Sequence, residues 1–552
     1  MTRPLKEMPT THTTTALENT ITETSTPRPR WFKTAHAPQL ADALERIRGP
    51  VGVYSDGHRL ALVVGTSAWQ VLLTKNDASS FVSTLRESKR EPWTVEPLHR
   101  TVRILKELDP AFDLHTVRNA TAAEAIVVGD PALRAAGERG DPGEAHTSAI
   151  EGAGLAQATA TSLSCLTPEL RKIALRGVTL DKVWRNRVVN GWPVNLDLLL
   201  ALGAASEVER VRITMAAGLD LTANSKASEL KTIIAWLAEV GVHPADKGRP
   251  SVSSDALDGT PEPTDPEAVR RLALVRDAKA VERTANTYNS LRSRYEHGRV
   301  HAELRLFSAR TGRTSIRKAS LQNVGRKSRP LLTASPGMTL VAADLSAAEY
   351  RIAAAMSGDV ALLAAVESSD LYVAIARSMF GLTEVTGEDR DRAKTVALAV
   401  LYGQGATSTG VKLKVAKDRA RELMDEFWAL YPQLDEFNQA MKALAGTQLY
   451  TRTIGRPLAV VPVEMAYKSL NAVVQGECAD LITVRAEQVA AALKLTCPAG
   501  GLFHTVHDEL VVEVPIGQEQ AGLDVLALLA QPFLGHPMRA EPVVLGRNWS
   551  KA

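Results

Sequence analysis

Cysteine is scarce: Cys165, Cys478 and Cys497 are the only three, widely separated and without C-x-x-C spacing. That excludes a cysteine-built zinc site and a disulfide scaffold, and it fits a reducing, cytoplasmic setting. Long apolar runs are also missing, since charges interrupt every stretch well short of a membrane span, so no membrane partner is expected. The N-terminus, "MTRPLKEMPTTHTTTALENTITETSTPRPR", lacks the apolar core of a secretory signal and carries acids that a transit peptide avoids. Residues 1–30 are therefore expected to be a disordered tail. Excess charge of one sign is absent too, the net value being only +3 over 552 residues.

The distribution of that charge is informative. Between Glu267 and Leu332 there are sixteen Lys or Arg against five Asp or Glu, which leaves the remainder of the chain acidic. A basic island in an acidic protein points to a polyanionic ligand, unless it is simply a solvated helix face. The length implies several domains. Residues 31–165 read as a small α/β unit, with "PVGVYSDGHRLALVVG" and "AWQVLL" as paired strands and "LHRTVRILKELD" as a helix. Mostly helical sequence follows from Pro168 to about Leu237, then a Pro-, Gly- and Ser-rich break, then a long basic helix.

Three later stretches carry chemistry. "GMTLVAADLSAAEYR" places Asp344 at the end of a buried strand and before a helix, as either a helix cap or a ligand. "FHTVHDELVVEVP" reads as a hairpin whose tip bears His507, Asp508 and Glu509, with neither Gly nor Asn to supply positive backbone angles. Read alone, that tip is a solvated turn. Paired, Asp344 and Asp508 are hard oxygen donors from separate strands, suited to two Mg²⁺ ions and in-line phosphoryl transfer. "GEDRDRAKTVALAVLYGQG" supplies the cations: Arg390, Lys394, Leu398 and Tyr402 recur every four residues, so they form one helical stripe that Gly403 can end. The stripe changes from phosphate-binding to base-stacking character along its length.

In their order and spacing these stretches resemble the family A DNA polymerases, from about Leu180 to the C-terminus. "DLSAAEYR" is similar to the family's D-Y-S-Q-I-E-L-R, the Arg390 helix to R-x-x-x-K-x-x-x-(F/Y)-x-x-x-Y-G, and His507–Glu509 to H-D-E. "TGRTSIRKASLQNV", "NAVVQGECADLI" and, more loosely, "GRPLAVVP" match three further segments. The resemblance implies an α/β (α+β) multidomain right hand preceded by a degenerate 3′–5′ exonuclease-like, RNase H-like domain. The implied division is exonuclease-like domain 31–165, thumb and connecting helices 166–300, palm 301–365, fingers 366–470 and palm again 471–552.

The same resemblance implies template-directed addition of dNTPs to a primer 3′-hydroxyl, in replication or repair. A palm-fold RNA polymerase or primase-like enzyme and a DNA-binding pseudo-polymerase are the alternatives. By the resemblance Asp344 and Asp508 hold two Mg²⁺ (Mn²⁺ can substitute), with the Leu345 carbonyl and Glu509 auxiliary. Arg390 and Lys394, a catalytic cation, hold the triphosphate, with Leu398, Tyr402 and Tyr372 also facing the dNTP and Glu349 as ribose gate. Arg313, Gln322, Asn323, Arg456, Asn471, Gln475 and His507 fall at DNA-contacting positions, and primer-template DNA is the implied partner of a monomeric enzyme.

Departures from the pattern are Leu398 for an aromatic residue, Tyr372 in the D-x-H segment, Leu345 and Ala347 for Tyr and Gln, and Tyr467 for Arg, with Lys468 adjacent. In the exonuclease-like segment "VGVYSDG" puts Tyr54 where the family has its first Asp and Asp56 where it has Glu, so that domain is expected to be inactive. At this length a 5′-nuclease domain is not expected.

Overall fold

The computed structural model describes residues 29–31, 37–46, 51–55, 59–64, 67–72, 77–94, 98–113, 117–119, 168–222, 227–246 and 248–550. Asp56 and most of the expected N-terminal tail lie outside these residues. Pro29 and Arg30, expected in that tail, belong instead to the strand Pro29–Trp31 (β1), paired parallel to Ser67–Leu72 (β4).

The first domain is a six-stranded sheet in the order β1-β4-β3-β2-β5-β6, with β2 Val51–Ser55, β3 Arg59–Val64, β5 Trp93–Thr94 and β6 Arg118–Asn119. Strands β2, β3 and β4 form an antiparallel meander, and β5 and β6 extend it in parallel from β2. Alternation assigns the two faces. Val51, Val53, Leu60 and Leu62 pack with Leu40, Phe81 and Leu105 from the helices of the domain. Tyr54, Ala61 and Val63 point to the other side and join the main core, together with Ala174 and Val178 of helix Pro168–Val183. The sheet is thus covered on both faces. Arg185, fully buried, pins the domain by donating to the Val117 carbonyl at 2.9 Å while pairing with Asp181 at 3.0 Å.

The segment expected to be the thumb contains a pair of long helices, Leu196–Ala217 and Pro266–Arg292, capped by Asn195 and Asp265. Their close approach depends on Gly203, since a Cβ there would lie 2.7 Å from the Tyr288 ring. Thumb residues Ile213, Ile233, Leu237, Leu272 and Val275 form a core of their own. The basic helix does not present all its charge outward. Arg271 pairs with Glu239 at 2.8 Å, Arg276 with Glu262 at 2.7 Å, and Arg270 with Glu267 at 2.7 Å. These three of the sixteen cations of the island are therefore matched by nearby acids.

The segments expected to be the palm share an antiparallel four-stranded sheet, Met338–Asp344 (β7), Gly501–Val506 (β8), Glu509–Pro515 (β9) and Val543–Gly546 (β10), in the order β8-β9-β7-β10. It is tied to the segment before the thumb by the buried ion pair of Arg187 with Glu513 and by Trp192, whose indole donates to the Phe503 carbonyl at 2.7 Å. Between β7 and the long helix Ser469–Thr496 lie seven helices, from Ala348 to Ala443, which include the segment expected to form the fingers. Among the described residues no helix is long and apolar enough to cross a membrane.

Candidate active site

Strand β7 is buried from Thr339 to Ala343 and opens only at Asp344. Asp344 is not a helix cap: the following helix, Ala348–Ser357, begins at Ala347, which has φ 51° and offers no capping side chain. Its neighbour β9 is aligned so that Asp344 lies opposite Glu509. The β8–β9 hairpin closes from Val506 to Glu509 through a two-residue turn. His507 itself adopts the positive φ, 55°, that glycine or asparagine would normally supply. The Leu345 amide donates to the Asp508 carbonyl at 3.2 Å, which fixes the turn against the end of β7.

The two aspartates interact. Partial burial, and then the charge of Asp344, push the Asp508 carboxyl up to about 7. Cys478 lies beneath them; burial, followed by the charges of Asp508 and Glu349, raises its thiol well above the ordinary range. An aspartate whose ionisation is made costly by a neighbouring carboxylate belongs to a donor set that a divalent cation would relieve. Among the described residues no cluster of three or more His, Cys, Asp or Glu forms a closed metal cage. A two-carboxylate set fits a hard cation that takes its remaining oxygens from phosphate and water, as Mg²⁺ commonly does. Glu509 is buried and engaged by Arg329 at 3.5 Å, so it stands beside this pair with a partner of its own.

The helix Gly387–Leu401 starts with a capping box between Thr386 and Asp389. Ala393, Val396, Ala397 and Val400 are buried against the core, whereas Arg390, Lys394, Leu398 and Tyr402 are all half-buried along one face. Gly403 follows with φ 65°, and a Cβ there would meet the Tyr467 carbonyl at 2.1 Å. Tyr350 anchors this helix to the palm by donating its hydroxyl to the Ala397 carbonyl at 2.5 Å.

Two contacts set the ends of the stripe. At the cationic end Arg390 Cζ lies 5.5 Å and Lys394 Nζ 5.4 Å from the centre of the Tyr372 ring. Asp370 caps the Tyr372 helix and also accepts from Arg390 Nε at 2.8 Å. Partial burial pushes the Asp370 carboxyl up, but the Arg390 contact and the capping amides outweigh it and hold the group below its usual value. At the other end the Tyr402 hydroxyl donates to Glu349 at 2.8 Å, and the second oxygen of Glu349 is paired with Arg313. Burial, then the Glu349 charge, raises the Tyr402 phenol. Asp370 was not singled out in the sequence; its position as an N-cap twenty residues before Arg390 is the signal that was available.

Asn471 and Gln475, one turn apart on the Ser469–Thr496 helix, are half-buried, and Asn471 Oδ1 has no hydrogen-bond partner among the described residues. His507, Asn323, Tyr467 and Lys468 are exposed. Two residues expected to contact DNA have partners inside the protein. Arg456 is 1% exposed and is paired with the fully buried Asp480 at 2.7 Å, so its guanidinium belongs to the interior. Gln322 uses both ends of its amide on backbone, donating to the Thr505 carbonyl at 3.0 Å and accepting from the Ile316 amide at 3.1 Å. Both residues shape the site from behind.

A sequence profile of DNA polymerase family A matches residues 203–550, and the chain belongs to that family. Among curated relatives, DNA polymerase I of Chloroflexus aurantiacus is 33% identical over 236 residues, 40% of this chain and 25% of that protein. DNA polymerase I of Mycobacterium tuberculosis H37Rv is 30% identical over 326 residues, 55% of this chain and 36% of that one. The thermostable DNA polymerase I of Thermus filiformis is 28% identical over 410 residues, 68% and 47% of the two chains. The match thus spans between a quarter and about half of each relative. The fold is that of the polymerase domain of Pol1 from M. smegmatis, solved with DNA primer-template and dNTP, with a TM-score of 0.74 at 22% identity over 95% of this chain and 99% of that one.

Proposed function

We propose that the protein is a template-directed DNA polymerase that adds dNTPs to a primer 3′-hydroxyl and releases pyrophosphate. The observation that carries this reading is the meeting of Asp344 and Asp508 at adjoining ends of β7 and the β8–β9 hairpin, their electrostatic coupling raising Asp508. Asp344 and Asp508 would hold Mg²⁺, with Mn²⁺ able to replace it; bound there, the metal supplies Lewis-acid stabilisation of charge on the phosphoryl oxygens and the attacking oxygen. Arg390 and Lys394 bind the triphosphate and neutralise charge that grows as the pyrophosphate leaves. Glu349, fixed by Arg313 and Tyr402, occupies the space a 2′-hydroxyl would need, and the Tyr402 ring offers a stacking surface. Arg313, Asn471, Gln475, Asn323 and His507 face the primer-template, where minor-groove acceptors common to all base pairs report pairing shape without sequence.

The first domain reads as an exonuclease-like fold without its chemistry. Tyr54, where a metal carboxylate would stand, is 3% exposed in the core shared with helix Pro168–Val183, so that face is filled rather than open. Release of 3′-terminal nucleotides by the purified protein, abolished by Asp56→Ala, would overturn this part. A cytoplasmic enzyme acting as a monomer fits the reading, with Cys478 and Cys497 as buried free thiols. Extension of a primed template by purified protein, dependent on a divalent cation, tests the whole. Absence of extension under every metal tried would sink it.

A further inference from the structure

Three stretches that resemble separate family motifs meet at one buried guanidinium. The loop carrying Arg456 is stapled to the Ser469–Thr496 helix by two fully buried carboxylates. Glu477 accepts from the amides of Arg452 and Thr453 and from Thr453 Oγ1 at 2.8 Å. Asp480, one turn on, accepts from Arg456 Nε at 2.7 Å. Arg456 then reaches across, with Nη2 3.3 Å from the Gly476 carbonyl and 3.5 Å from the Thr311 carbonyl, and its plane over the Phe307 ring at 5.2 Å.

The next residue along the crossed segment is Gly312, and its backbone is fitted around that guanidinium. Gly312 has φ 84°, and a Cβ there would lie 2.2 Å from Arg456 Nη2 and 2.5 Å from Cζ. No side chain fits between them. Arg313 follows directly and is paired with Glu349, which in turn receives the Tyr402 hydroxyl. The direction in which Arg313 leaves its loop is therefore set by the surface on which Gly312 rests.

Stability alone does not account for this arrangement. Replacing a buried ion pair by apolar residues of similar volume is often neutral or stabilising, so fold stability has no need of one here. A planar guanidinium hydrogen-bonded to a carboxylate and three carbonyls, those of Thr311, Pro457 and Gly476, offers instead a template with one fixed orientation. We propose that Arg456, held by Asp480, is a positioning residue of the active site: it acts through Gly312 to aim Arg313 at Glu349. The proposal rests on the polymerase reading for its catalytic consequence, though not for its structural one.

The test is Arg456→Lys, which keeps a cation beside Asp480 but removes the plane against Gly312. In its crystal structure the Thr311–Arg313 loop should shift and the Arg313–Glu349 pair should be lost. In single-nucleotide extension the variant should lose about ten- to a hundredfold in kcat/KM for the correct dNTP, the range expected when a reacting group is displaced by an ångström or less. Made in an Arg313→Ala background, the same change should cost less than about twofold, because its route is already cut. A purely structural role would lower activity equally in both backgrounds, and that result, or an unmoved Arg313–Glu349 pair in the Lys variant, overturns the proposal. Should the Lys variant fail to fold, the double change Arg456→Met with Asp480→Leu removes both members of the ion pair together and takes the same measurements against the same outcomes. Absence of extension by the wild type would instead count against the polymerase reading, and the crystallographic comparison would still decide this one.

Discussion

Tyr402, at the end of the fingers helix, donates its hydroxyl to Glu349, in the first turn of a palm helix, at 2.8 Å. The bond joins the ring proposed as a stacking surface to the carboxylate proposed as the ribose gate. With Arg313 on its second oxygen, Glu349 has little rotational freedom. A gate on the ribose needs that rigidity, because a mobile carboxylate would make room for an extra hydroxyl.

Glu349→Ala should therefore relax sugar selection. The ratio of rNTP to dNTP incorporation, measured as relative kcat/KM, is expected to rise by about tenfold or more, the scale on which pocket contacts discriminate. An unchanged ratio would mean that another side chain blocks the 2′-hydroxyl.

Tyr372 lies beneath both cations of the stripe. Each half-exposed cation–π contact is worth about 0.5–1 kcal/mol, so losing both should weaken triphosphate binding by roughly five- to thirtyfold. Tyr372→Leu is expected to raise KM for dNTP by that factor, with a smaller effect on primer-template affinity. If KM stays put, Asp370 alone aligns Arg390 and the ring contributes nothing.

His504 gives the palm a pH dependence. It is fully buried on β8, with its ring 4.7 Å from that of Trp549. Burial lowers its imidazole to about 3, and the charges of Arg329 and Arg187 lower it further. Between that value and the ordinary one near 6.5, the unfolded chain binds a proton that the folded chain refuses, so stability rises with pH across this window and is lost on acidification. The loss should approach about 1.4 kcal/mol per pH unit below the ordinary value. Thermal melts of His504→Leu should show a shallower fall in Tm from pH 7 to pH 5 than the wild type. Parallel slopes would contradict the assignment.

The parts of the site that could be read in the sequence are those with a local signature. The Arg390–Tyr402 stripe follows helical period, Asp344 ends an unbroken apolar strand, and the charged hairpin tip stands between alternating flanks. What escaped depends on partners distant in the chain. Arg456 looks like any surface arginine until Asp480 buries it, and Gln322 like a DNA contact until the Thr505 carbonyl takes its amide. The basic island overstated the free positive charge for the same reason, since Glu239 and Glu262 lie outside the counted window. The hairpin turn was legible in place but not in means: His507 takes the left-handed conformation that a glycine would have announced.

The central claim is that Asp344 and Asp508 together hold the metal at which nucleotide transfer takes place. Its most direct test is single-turnover primer extension by Asp508→Ala, with primer-template affinity measured on the same preparation. Extension should fall by several orders of magnitude while the DNA dissociation constant changes by less than about threefold, because the carboxylate stabilises the transition state and not the duplex. Extension within about tenfold of the wild type would contradict the account.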